Sequence, residues 1–329
     1  MTDDNKQLIR VGETISPRKI YEEVSKTVVG QEQAKKLICN TVFMHFVRYL
    51  QLVSEGQTSK KSNALLMGPT GCGKTYIVRE ASRAIQKLTG FPICPVLEVD
   101  CTELTGRGWE GDNLSDHIKD HYKEFGGNEA SFNTSIVFLD EFDKLCKPAV
   151  GSGGHDHNRL TQYNLLKLIE GTEVKMDSKS PFASGGSFNT HSILFIMAGN
   201  FSEIRRSRED SKKPSMGFSS ENSEEKSEFI DYHTELEANG MATQLVGRTP
   251  YIAELNALTS EELRIILDRY LIPELSQTWR YLRSDLVISE ENKVEIVENC
   301  FKRKTGARGL QADLCKHVED ELFDLEFTL

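Results

Sequence analysis

Short, mostly apolar runs alternate along this chain with stretches in which apolar residues recur every three or four positions. The runs are Asn63 to Met67, Pro95 to Asp100, Ser135 to Leu139 and His191 to Met197. Each is too short for a helix and reads as a strand, and the unbroken apolar ones read as buried on both faces. Between them the helical period takes over. Gln31 to Leu50 places Ala34, Leu37, Ile38, Val42, Phe43, Phe46 and Val47 on one side. Thr75 to Ala81 and Leu160 to Glu170 read as further helices, the second closed by Gly171. Ser16-Pro17 opens an earlier helix, with proline at a favoured first position. Buried strands alternating with helices predict an α/β fold, a parallel sheet covered on both sides.

Residues 1–14 read as a tail, and Ser54 to Ser62 as a polar connection. Two stretches break the alternation. Pro148 to Asn158 contains Gly151-Ser152-Gly153-Gly154, and Ser202 to Glu237 is rich in Ser, Lys, Arg and Glu. The second is long for a loop in a compact domain, which marks it as functional or disordered. Past Thr259 the strand signals mostly stop. Thr259-Ser260-Glu261-Glu262 is a capping box, and Asn292 to Arg303 and Ala307 to Leu325 read as helices. The expected organisation is a large α/β domain over 15–256 and a small helical domain over 257–329, with no internal repeat.

Composition narrows the class. The net charge of −10 argues against a protein that holds nucleic acid by bulk charge, because such binding rests on phosphate neutralisation by Lys and Arg. Seven scattered cysteines with no C-x-x-C pair read as free thiols, not as a disulfide frame or a zinc site. The first residues, Met1 to Asn5, are polar and acidic, unlike a signal peptide. No apolar run approaches the ~18 residues of a membrane span. A cytoplasmic protein is expected.

The chemistry starts at Gly68-Pro69-Thr70-Gly71-Cys72-Gly73-Lys74-Thr75, which fits G-x-x-x-x-G-K-[ST] at every fixed position. In such a loop backbone N–H groups curl around phosphate, the lysine reaches the β/γ-phosphates and the hydroxyl ligates Mg²⁺. A chance glycine-rich turn would lack the strand before it and the helix after it, whose N-terminus favours an anion. Cys72 reads as a small filler of this loop rather than a catalytic thiol. Asp140-Glu141 ends the apolar run at 136–139, where one acid can hold Mg²⁺ and the other can accept a proton from an attacking water. Asn200 follows the next run. In the expected sheet that strand lies between the other two, so the amide at its end can orient the water; the alternative is a turn-forming Asn. Arg248, in Gly247-Arg248-Thr249-Pro250, and Arg308, in Lys304-Thr305-Gly306-Ala307-Arg308-Gly309-Leu310, are candidates for the positive charge that phosphoryl transfer needs. Taken singly, each arginine reads as well as a surface residue.

The order of these motifs resembles the AAA+ protein unfoldase family ClpX, of the Clp/HslU type. It runs through Val29-Gly30-Gln31-Glu32-Gln33-Ala34-Lys35, the phosphate loop, Phe138 to Lys144, Leu165 to Thr172, Gly247 to Pro250 and Lys304 to Leu310. The resemblance covers residue 16 to the C-terminus. It implies an AAA+ P-loop ATPase with a parallel-sheet large domain and a mostly helical small C-terminal domain, using ATP and Mg²⁺. Lys74, Asp140, Glu141, Asn200, Arg248 and Arg308 would be catalytic, with Arg248 a finger in trans and Arg308 the sensor-2 arginine. Val28 and Val29 would border the adenine, with Tyr76 just past the loop. The family implies a homo-hexameric ring, or a ring mixed with another ClpX, that threads unfolded or tagged proteins into a ClpP-type peptidase.

Departures from the family pattern bear on substrate choice. The family's Gly-Tyr-Val-Gly pore loop matches Gly108-Trp109-Glu110-Gly111, with a larger ring and an added acid. Met216-Gly217-Phe218 matches the tripeptide that docks on the peptidase. The four-cysteine zinc domain expected before this region is missing. The second pore loop, Gly151 to Arg159, carries His155 and His157, and the family's Arg-Lys-His motif is not visible. The alternatives are a remodeller that works without a peptidase and an AAA+ DNA motor, the latter disfavoured by the acidic charge and the aromatic loop.

Overall fold

The computed structural model describes residues 3–57, 59–104, 113–125, 128–150, 154–176, 187–211, 231–281, 286–319 and 323. From the N-terminus run α1 (Asp3–Gly12), α2 (Pro17–Val24), α3 (Glu32–Glu55), β1 (Ala64–Met67) and α4 (Lys74–Thr89). Next come β2 (Val96–Asp100), α5 (Leu114–Glu124), α6 (Glu129–Asn133), β3 (Ile136–Asp140), α7 (Phe142–Leu145) and α8 (His157–Glu170). The hairpin β4 (Glu173–Lys175) and β5 (Ser187–Asn189) precedes β6 (Leu194–Gly199), α9 (Ser202–Ser211), α10 (Tyr232–Ala238), α11 (Thr243–Val246) and β7 (Tyr251–Glu254). Then α12 (Ser260–Ile266) passes through a π-helical turn, Leu267–Leu271, into α13 (Ile272–Tyr281), followed by α14 (Glu290–Arg303) and α15 (Gly306–His317).

The main sheet has five parallel strands in the order β2-β3-β6-β1-β7. Strand alternation divides its side chains between two cores. Leu66, Phe138 and Ile196 join α2, α3 and α4 on one face. Leu65, Met67, Val137, Phe195 and Met197 join α5, α8 and α11 on the other. β1 and β6 are therefore buried along their whole length, as their unbroken apolar sequences require. β6 lies between β3 and β1, so the ends of the three strands stand side by side and bring Asp140, Asn200 and the phosphate loop to one edge. A third apolar cluster, with Leu258, Leu263, Leu267, Ile296, Cys300, Leu310 and Leu314, belongs to the helices after β7.

Several expectations need correction. The presumed tail at 1–14 contains α1, and Leu8 is buried in the core, with Val11 and Ile15 continuing the same face. The run at 191–197 begins with a 3₁₀ turn, so its strand starts at Leu194. Of the helix expected over 307–325, the described part is α15, Gly306–His317, with Glu319 and Phe323 also helical and residues 320–322 and 324–325 outside the described residues. The edge strand β7 and the β4–β5 hairpin had no clear signal, being short and partly exposed. All seven cysteines are free, and only Cys315 is exposed. Among the described residues no helix is long and apolar enough to cross a membrane.

His45 on α3 makes the fold acid-sensitive. It is enclosed and, in the tautomer that donates from Nε2, bonds the Thr134 carbonyl at 2.8 Å. Burial pushes its pKa from 6.5 down to about 3. Between those two values the unfolded chain binds more protons than the folded one. The stability contributed by neutral His45 is thus complete above pH 6.5 and is lost as pH falls toward 3, by at most about 1.4 kcal/mol per unit. Thermal unfolding of the wild type should therefore shift to lower temperature as pH drops below about 6.5, and His45→Gln, which keeps a donor but cannot charge, should flatten that slope. Equal slopes for both proteins would show that His45 does not carry the effect.

Candidate active site

The phosphate loop joins β1 to α4 and turns on two left-handed glycines, Gly71 (φ 74°) and Gly73 (φ 100°), the second serving as N-cap of α4. These conformations suit glycine and leave the first N–H groups of the helix facing the turn. Lys74 Nζ donates to the carbonyls of Gly68 at 2.9 Å and Pro69 at 3.0 Å. A phosphate oxygen can replace those carbonyls with a better charge partner. Cys72 is buried, and desolvation raises its thiol pKa, so it stays protonated and acts as loop filler.

Across the loop, Thr75 Oγ1 donates to Asp140 Oδ2 at 3.2 Å. A hydroxyl and a carboxylate in contact are a hard-oxygen pair, the kind of donor set that holds Mg²⁺ together with waters and substrate phosphate. Among the described residues no group of His, Cys, Asp or Glu forms a metal cage of its own, His155 and His157 included. Asp140 Oδ1 accepts from the Glu141 N–H at 2.9 Å. Glu141 itself has φ 53°, an uncommon backbone for a residue with a side chain, and caps α7. Such a residue turns out of the strand direction at the sheet edge, and Glu141 lines the cleft there.

The cleft has a volume of ≈ 490 Å³. It brings together Val28, Val29, Thr70, Gly71, Cys72, Gly73, Lys74, Thr75, Tyr76, Asp140, Glu141, Asn200 and Arg308. Of the expected residues in the described part, Pro69 and Arg248 do not line it. Gly108 to Gly111 and Met216 to Phe218 lie outside the described residues. Asn200 is held by partners that sequence reasoning missed. Its N–H donates to Asp143 Oδ1 at 3.0 Å, and its side-chain oxygen accepts from Arg205. With the oxygen engaged, the NH₂ group is the edge available to a water in the cleft.

Arg308 reaches the cleft because α15 docks on the phosphate loop backbone to backbone. The Ala307 N–H donates to the Gly71 carbonyl at 3.0 Å. A Cβ on Gly306 would stand 2.4 Å from that carbonyl oxygen, and one on Gly71 would stand 2.4 Å from the Thr305 oxygen. Two glycines, one in each motif, permit this approach. Val28, Val29, Ile266, Tyr270 and Leu271 line the same cleft and give it an apolar part that suits a flat base. The π-helical turn carries Tyr270 and Leu271 into the wall together. The Tyr270 hydroxyl also donates to the Lys26 carbonyl at 2.7 Å. Gln31, left-handed at φ 56°, pairs with the backbone of Asn256 at 2.8 and 3.1 Å, linking the start of α3 to the segment after β7.

Arg248 stands apart, more than half exposed. Its Nε and Nη2 both donate to Glu170 Oε1, at 3.0 and 2.8 Å.

Comparison with known proteins agrees with this geometry. Residues 59–252 match the family described as AAA domain (Cdc48 subfamily), more than half of the 329-residue chain. Residues 258–326 match the C-terminal, D2-small domain of ClpB protein. The chain is 29% identical to the ATP-dependent Clp protease ATP-binding subunit ClpX of Treponema denticola, over 96% of this chain and 78% of that protein. It is 29% identical to the protein of the same name from Azotobacter vinelandii, over 94% and 74%. The counterpart in Borrelia duttonii is 27% identical over the same shares.

Proposed function

This chain belongs to the AAA domain family and is an ATPase of the Clp type; from that membership we propose that it forms a hexameric ring in which ATP turnover unfolds polypeptides and threads them through a central pore. The observation that carries the ring is the position of Arg248. Arg308 lines the same subunit's cleft, whereas Arg248 is exposed and outside it. A site built this way takes its remaining positive charge from a neighbouring copy.

In this reading Lys74 holds the β- and γ-phosphates while Thr75 and Asp140 hold Mg²⁺. Bound Mg²⁺ would neutralise the charge that develops on the phosphate oxygens. Glu141 takes the proton of the attacking water, and Asn200 orients that water from the end of β6. Arg248 of the neighbouring copy and Arg308 of the same copy stabilise the charge of the leaving and transferring groups. Because Arg308 rides on α15 and touches the phosphate loop through Gly71 and Gly306, a change in phosphate occupancy bears directly on how α12 to α15 sit against the sheet.

The polypeptide grip belongs to Gly108-Trp109-Glu110-Gly111. A large ring offers a sequence-tolerant surface to an extended chain, and Glu110 disfavours acidic cargo. Met216-Gly217-Phe218, apolar on a polar stretch, is the docking element for a ClpP-type peptidase. The test is ATPase rate with and without unfolded casein. The wild-type rate should rise with casein, and Trp109→Ala should abolish the rise. A Trp109→Ala protein stimulated as strongly as the wild type would remove the pore assignment.

A further inference from the structure

Arg248 is exposed, yet it is held at both its backbone and its side chain. Asn63, buried at the entry to β1, donates from Nδ2 to the Arg248 carbonyl at 3.1 Å and accepts the Phe195 N–H at 3.2 Å. The backbone of the arginine is thereby tied to β6, the strand that carries Asn200 at its other end. Glu170 holds the guanidinium, and it does so on one edge only, through Nε and Nη2. Among the described residues nothing bonds the Nη1 edge, and a guanidinium can bind a second oxyanion there.

The place of Glu170 makes this pairing unusual. It is the last residue of the fourteen-residue α8, where the helix dipole disfavours a carboxylate. The pair is 57% and 43% exposed, so it adds little to stability. The helix end is fixed without it, because the Gly171 N–H caps Lys167 and Lys61 Nζ donates to the Ile169 carbonyl at 2.8 Å. A carboxylate kept where local physics is against it points to a role outside folding.

We propose that Glu170 is a positioning residue: it clamps the Nε–Nη2 edge of Arg248 so that the Nη1 edge is presented to the γ-phosphate in the neighbouring copy. This rests on the reading of Arg248 as a finger supplied in trans. The arginine keeps its carboxylate partner while it works, and the clamp removes rotamer freedom that would otherwise have to be lost during the reaction.

The test is steady-state ATP hydrolysis by the full chain, comparing Glu170→Gln, Arg248→Ala and the double variant. Glu170→Gln should lower kcat by roughly ten- to a hundredfold, with KM for ATP and the melting temperature little changed. In the Arg248→Ala background the same substitution should have no further effect on kcat. An unchanged or raised kcat for Glu170→Gln would overturn the proposal, as would a loss that adds to that of Arg248→Ala and comes with a lower melting temperature. If Arg248→Ala itself hydrolyses ATP normally, the finger reading fails first and the clamp falls with it; a slow Arg248→Ala beside a normal Glu170→Gln refutes the clamp alone.

Discussion

Arg248→Ala should slow ATP hydrolysis by about 10³–10⁵ while leaving ATP binding largely intact. The size follows from the chemistry: the transferring phosphoryl spreads negative charge over its oxygens, and a desolvated guanidinium is well matched to that charge only in the transition state. The direction follows from the structure, which puts Arg248 on the outside of its own subunit, away from its own cleft. Binding measured with a fluorescent ATP analogue separates the two quantities. A finger supplied in trans would have a sharper consequence. Mixing Arg248→Ala chains with Glu141→Gln chains should restore activity, because an intact Arg248 from one variant can then meet an intact Glu141 in the other. A mixture no more active than its components would place Arg248 elsewhere in the mechanism.

Glu141→Gln should retain ATP and lose turnover by about 10²–10⁴, the usual contribution of a positioned general base. The substitution keeps size and hydrogen-bonding capacity but cannot take up the proton of the attacking water. The backbone around it should hold its shape, because the left-handed turn at Glu141 is secured by its N–H to Asp140 and by its carbonyl, which accepts the Lys144 N–H at 2.9 Å. Single-turnover hydrolysis against ATP occupancy reads the effect. A Glu141→Gln protein that hydrolyses ATP at the wild-type rate would assign the base to another residue.

Much of this site was legible in the sequence because its chemistry is local. A phosphate loop needs its glycines and lysine at fixed spacing, and β1, β3 and β6 announce themselves through uninterrupted apolar residues that only a doubly covered sheet can bury. The position of Asn200 follows from strand order, with β6 between β3 and β1. What stayed hidden depends on long-range contact. Tyr270 and Leu271, far along the chain from Val28 and Val29, line the same cleft, and no helical period distinguishes a π turn from an α turn. Glu170 against Arg248, across 78 residues, is an ion pair with no local signature. The helix α1 was missed for a different reason. Its polar composition outweighed the three-residue spacing of Leu8 and Val11.

The central claim is that ATP binding by this chain is used to engage a polypeptide. Glu141→Gln chains incubated with fluorescently labelled unfolded casein, with ATP or without nucleotide, and separated by size, test it most directly. Casein should travel with a high-mass assembly only when ATP is present and stay there, since turnover is blocked. Casein that remains unbound with ATP, in a protein whose wild-type ATPase rate rises with DNA instead, would contradict it.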